Sequence, residues 1–162
     1  MKPTISPSKP NITRTLAAGL AAGAAFSLTA FLTFGVVGAG LDHRSGILFR
    51  ARDQSPKLIA VWTTLPPLPL AVRFPPALLA GYFVFAVGHA FIYGAVAASW
   101  PPSRRARTLR MAGLVWFCSG LFFEFLGPFN LLAEPSRLVL IELGFWALIA
   151  LAEATALTAV LE

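Results

Sequence analysis

The chain has 162 residues, of which 57% are hydrophobic and only 12% charged, and it carries a formal net charge of +6. A soluble domain carries about a quarter charged residues, and one of this length would still need them to cover its surface. This composition excludes an ordinary soluble enzyme and points to a bilayer as the solvent.

A spanning helix needs about 20 mostly apolar residues, and the sequence supplies four such runs. The expected fold class is an all-α integral membrane protein. It has four transmembrane helices in a single membrane domain, 1–162, with a long proline-rich interfacial link between the first and second. The net positive charge lies between the runs, so topology and membrane lipids account for it; no nucleic-acid-binding module is present.

Residues 1–14 (MKPTISPSKPNITR) read as a basic, proline-containing tail, with Asn11 or Thr13 as a helix cap. The first span is expected over 15–40. It is rich in small residues: Gly19 and Gly23 form a GxxxG, and Ala21, Ala25, Thr29 and Thr33 follow at the same spacing. Small residues let helix backbones approach closely in lipid, so this span is expected to pack tightly on another helix. The run exceeds the ~7–15 residues of a signal-peptide core and is expected to be retained.

Residues 41–76 form the link. Its first half is charged and contains His43; its second half is broken by Pro66, Pro67, Pro69, Pro75 and Pro76, too many for a spanning helix. A short interfacial helix is expected from Leu58 to Leu65, with Trp62 at headgroup level.

The second span is expected over 77–100. A basic turn, PPSRRAR, separates it from the third, over 108–126. GPFNLLAEP, opened by a Gly127-Pro128 breaker, leads to the fourth, over 136–161. Lys2, Lys9 and Arg14 in the tail, and Arg104, Arg105, Arg107 and Arg110 around the basic turn, are set against Arg137 and five basic residues diluted along the long link, and the expected orientation has both termini in the cytoplasm.

Four ionisable groups fall inside the spans: His89, Glu124, Glu142 and Glu153. Such groups are costly in lipid and face protein or water. Glu124 and Glu142 both lie about 10 Å outward from mid-membrane, so the hairpin of spans three and four can bring them to one level. They could share a proton or hold a cation. The preferred reading pairs each with Arg73 or Arg137, or bonds it to Asn130. Glu142 and Glu153 lie eleven residues apart and share a helix face flanked by Phe145, Trp146, Ile149 and Ala150. That face is expected to pack on another span rather than to conduct.

His89 sits among Ala86, Gly88 and Ala90, which leave room for a haem or chlorophyll ligated by the imidazole; a hydrogen-bonded histidine between helices is preferred. A bis-histidine haem would need a second histidine at that depth, and His43 lies in the link. Cys118 is single, so cysteine-pair chemistry is excluded. The sequence assigns no catalytic residues, no metal ligands and no cofactor. The function expected first is a non-catalytic accessory subunit of a larger respiratory or photosynthetic membrane complex, with other transmembrane subunits as partners. The alternatives are a small oligomeric transporter or channel using the glutamates, and a membrane enzyme or cofactor carrier centred on His89.

Overall fold

The computed structural model describes residues 11–42 and 44–162. Residues 1–10 of the expected tail, with Lys2 and Lys9, and also His43, lie outside the described residues. The fold is 79% helical, and no strand occurs among the described residues.

Helix α1 covers Ile12–Ala39. Asn11 is its cap: the side chain accepts from the Thr13 N–H at 3.0 Å, satisfying one of the first-turn donors that a helix leaves open. After α1 the chain doubles back. The N–H groups of Gly46, Ile47 and Leu48 donate to the carbonyls of Ala39, Val37 and Gly38 at 2.9–3.0 Å, which closes the end of the helix.

The link then forms α2, Pro56–Thr63, and a single turn, α3, Leu70–Arg73. Ser55 accepts from the Leu58 N–H, and Pro56 fills the first helical position, where its missing N–H costs nothing. The short helix expected at Leu58 therefore begins two residues earlier.

Three long helices follow: α4, Pro75–Ser99; α5, Arg104–Leu131; and α6, Ser136–Leu161. With α1 they make four helices long and apolar enough to cross a membrane. Their outward faces carry exposed Leu28, Phe117, Phe122, Phe125 and Leu140, a surface suited to lipid rather than water.

The third span departs from the sequence expectation at both ends. It begins at Arg104 instead of Thr108. It also runs through the Gly127-Pro128 breaker to Leu131. The reason is a widening of the helix over Trp116–Leu121 and again over Phe125–Leu131, where hydrogen bonds reach five residues back. A proline cannot donate and clashes with the carbonyl four residues earlier; a wider turn accommodates it. The helix ends at Leu132 and Ala133, the latter in the left-handed region at φ 53°.

Helix α1 is the packing centre, with α4 and α6 on it, while α5 leans chiefly on α6. Its inward face carries Thr15, Ala18, Gly19, Ala22, Gly23 and Phe26. Ala21 and Ala25 are half-buried at the margin. The approach requires glycine: a Cβ on Gly19 would lie 2.6 Å from the Val87 Cα, and one on Gly23 would lie 2.6 Å from the Phe83 ring of α4. Arg14 donates to the Val160 carbonyl at 2.8 Å, so the start of α1 and the end of α6 share one end of the bundle with the α4–α5 turn. The link and the α5–α6 turn occupy the other end.

Candidate functional site

The site lies at the link end. Helix α6 is regular and presents Glu142 inward from its second turn. Helix α5 presents Glu124 between its two widened stretches. Glu134 comes from neither helix. It stands in the turn after Ala133, whose left-handed backbone reverses the chain; the Glu134 N–H donates to the Pro128 carbonyl at 2.9 Å.

One carboxylate oxygen from each of Glu124, Glu134 and Glu142 lies within 4.8 Å of the other two. The three residues are buried, at 1%, 2% and 6% exposure. Two neighbours hold the cluster. The Trp146 indole N–H donates to Glu124 Oε1 at 2.5 Å, and Gln54 Nε2 donates to Glu134 Oε1 at 2.6 Å. Gly120 makes room for the indole: a Cβ there would lie 2.8 Å from the Trp146 Cβ. Among the described residues the second oxygens of Glu124 and Glu134 have no hydrogen-bond partner though buried, and the same holds for Glu153.

The link is fastened over this end. Ser55 Oγ donates to the Leu132 carbonyl, Lys57 Nζ donates to the Leu131 carbonyl at 2.7 Å, and Arg137 forks onto Asp53, with Nε at 2.7 Å. The guanidinium holds the Asp53 carboxyl below the ordinary carboxylate range.

These contacts correct the preferred sequence reading of the glutamates. Arg137 sits in the first turn of α6 and faces outward to Asp53. Arg73 and Asn130 are exposed. Among the described residues none of the three makes a hydrogen bond or ion pair with Glu124 or Glu142. The acids meet a third acid instead of a base.

The other two intramembrane groups meet each other. His89 Nδ1 and Glu153 Oε1 lie 2.7 Å apart, both buried, and the Phe85 ring stands edge-on to the imidazole at a centroid distance of 4.2 Å. The stripe from Glu142 to Glu153 thus divides into two sites with different partners. Between them on α6, Trp146, Ile149 and Ala150 line a cavity of about 10 Å³ with Phe26, Phe85 and Ser119. That is the least space a single water needs, and the lining is almost wholly apolar.

Three carboxylates this close and this buried cannot all remain charged without compensation, because buried charges are paired, neutralised or metal-bound. Their donors are hard oxygens, suited to protons or to Ca²⁺, Mg²⁺ and Mn²⁺ and unsuited to thiophilic metals.

Sequence reasoning missed Glu134, Gln54 and Asp53. A signal for Glu134 was present: Glu124 and Glu142 were placed toward the outer end of their hairpin, and Glu134 stands in the turn at that same end. Gln54 and Asp53 had none, since they arrive from 80 and 84 residues away. Comparison of the chain with protein-family models, with curated proteins and with solved structures gives no match.

Proposed function

We propose that this protein is a small ion-handling membrane protein, a proton- or cation-coupled transporter or channel component, with Glu124, Glu134 and Glu142 as its ion site. One observation carries the reading: three buried carboxylates converge, and among the described residues no basic side chain bonds to any of them. Among the described residues the second oxygens of Glu124 and Glu134 are buried without a hydrogen-bond partner, as is that of Glu153; what sets the cluster apart is that its acids face one another, whereas Glu153 faces His89. An exchangeable proton or cation supplies the missing partner. The role needs no catalytic step.

The orientation proposed puts Arg14, Arg104, Arg105, Arg107 and Arg110, and with them both chain ends, on the cytoplasmic side. The carboxylates then lie near the opposite face, and the proline-rich link lies along the interface over them.

The test is calorimetric titration of the purified chain with Ca²⁺, Mg²⁺, Mn²⁺ and Na⁺ in buffers of different ionisation heat, paired with cation-driven proton flux in proteoliposomes. Carboxylates that exchange protons for a cation make the heat depend on the buffer. The expected result is such a dependence, lost in Glu142→Gln with the helical circular dichroism unchanged. Absence of both heat and flux, together with extraction at fixed stoichiometry in a larger complex, would overturn the reading in favour of an accessory subunit.

A further inference from the structure

At the opposite end of the bundle, outside the carboxylate site, residues of α5 and α6 line an open groove of about 410 Å³. Arg104 and Arg105 stand at its mouth, Thr108, Thr155 and Thr158 line its middle, and Leu109 and Leu151 form apolar walls. Thr108 and Thr158 hydrogen-bond each other at 2.8 Å across the helix pair, which fixes its floor.

Two features say what fits there. The first is charge. Arg107, on the inner side of the same turn, is committed to Glu162 at 3.0 Å. Arg104 and Arg105 are exposed, and among the described residues neither makes a side-chain hydrogen bond or ion pair. The second is polarity along the groove. It changes from guanidinium at the helix end to leucine about one turn (Leu109) and nearly three turns (Leu151, counted back from Glu162) into the apolar bundle. A ligand that matches both is anionic at one end and hydrocarbon at the other. The groove is open along its length rather than enclosed, as a lipid lying along a helix surface requires, and basic clefts between helices at a membrane edge suit anionic headgroups.

We infer that the groove formed by Arg104, Arg105, Thr108, Leu109, Leu151 and Thr155 is a binding site for an anionic phospholipid. The phosphate lies between the two guanidinium groups and an acyl chain runs along Leu109 and Leu151. Arg pairs suit phosphate oxygens because the planar fork gives directed, charge-assisted bonds.

The test is native mass spectrometry of the full chain released from micelles containing either phosphatidylglycerol or phosphatidylcholine. Wild type is expected to keep phosphatidylglycerol in preference to phosphatidylcholine. The Arg104→Gln/Arg105→Gln double variant is expected to weaken that binding by about 30-fold. Leu151→Trp fills the groove without touching its charge and is expected to displace the lipid as well. Arg110→Gln, one turn further along α5 and outside the groove, is expected to bind as wild type does. Phosphatidylglycerol retention in the double variant equal to wild type, or equal retention of the two lipids, would overturn the proposal. So would displacement of the lipid by inorganic phosphate alone at comparable concentration, which would mark a free-phosphate site. Should the double variant fail to fold, Leu151→Trp decides: loss of phosphatidylglycerol supports the lipid site, and full retention removes it.

Discussion

The two ends of this bundle treat charge in opposite ways. At the link end Glu124, Glu134 and Glu142 are buried together with no base among them. At the other end Arg104 and Arg105 stand exposed, and the acid present, Glu162, is engaged by Arg107 and the Tyr93 hydroxyl. An exposed arginine is solvated by water and headgroups and costs the fold little. A buried carboxylate has no such recourse and must find a proton, a donor or a cation. The contrast teaches where to look for function in a small membrane protein: exposed basic residues are explained by topology and lipid headgroups, and a buried acidic cluster is not.

The largest expected effect comes from erasing the contrast. Glu134→Lys places an ammonium beside Glu124 and Glu142, so the cluster acquires a base of its own. Cation-dependent heat and proton flux should vanish, while the helical content by circular dichroism is kept. A variant that still responds to cations would show that the ion site lies elsewhere.

Next comes the frame that both ends share. Gly19→Leu drives a side chain into the Val87 backbone, 2.6 Å from where its Cβ would stand. Overpacking of this kind costs about 3 kcal/mol, to be read as a lowered melting temperature in detergent. An unchanged melting temperature would mean that α1 and α4 separate without penalty.

A smaller loss is expected at the pair between the ends. His89→Ala leaves Glu153 buried without its partner, at about 1–3 kcal/mol for the unsatisfied group. The thermal midpoint should fall, and the cation response of the outer cluster should persist, because the buried apolar Ile149 and Ala150 stand on α6 between Trp146, which bonds to the cluster, and Glu153. Loss of both together would show that the two acid sites act as one.

The smallest effect is local. Arg137 lowers the Asp53 carboxyl from its ordinary value of 3.8. A carboxylate with a depressed folded value contributes its pairing above the unfolded value and loses it as pH falls through the folded one. The Asp53–Arg137 pair should therefore persist through mild acid and be lost only below 3.8, with Gln54, Ser55 and Lys57 still holding the link. The Asp53 carboxyl carbon, followed by NMR, should titrate below that value and move back up in Arg137→Gln.

Much of this architecture was legible from local sequence. The four spans follow from run length and hydropathy, and the cap at Asn11 follows from neighbouring residues, whereas α2, expected from Leu58 to Leu65, runs over Pro56–Thr63. The GxxxG of α1 pointed to a close helix approach, and Gly19 and Gly23 lie against α4. Of the two misjudged ends of the third span, the one at Gly127-Pro128 was also local, but the sequence rule treats proline as a stop and takes no account of a helix that widens around it.

The candidate site was half legible. Depth along a helix brought Glu124 and Glu142 to one level, because rise per residue is fixed. Sequence alone could not name their partners, since a carboxylate is drawn equally to a base, a donor or a proton, and which one is near depends on how the elements pack. The sequence by itself determined four apolar spans, a small-residue face and acids at unfavourable depths. Only the tertiary structure decided that Glu134 joins the cluster from the turn, that Gln54 crosses from the link to hold it, that Arg137 turns to Asp53, and that His89 takes Glu153. Those contacts join residues far apart in the chain, and no local pattern encodes them. What selects them is the close packing of α1 on α4 and α6, and the folding of the link over the α5–α6 turn.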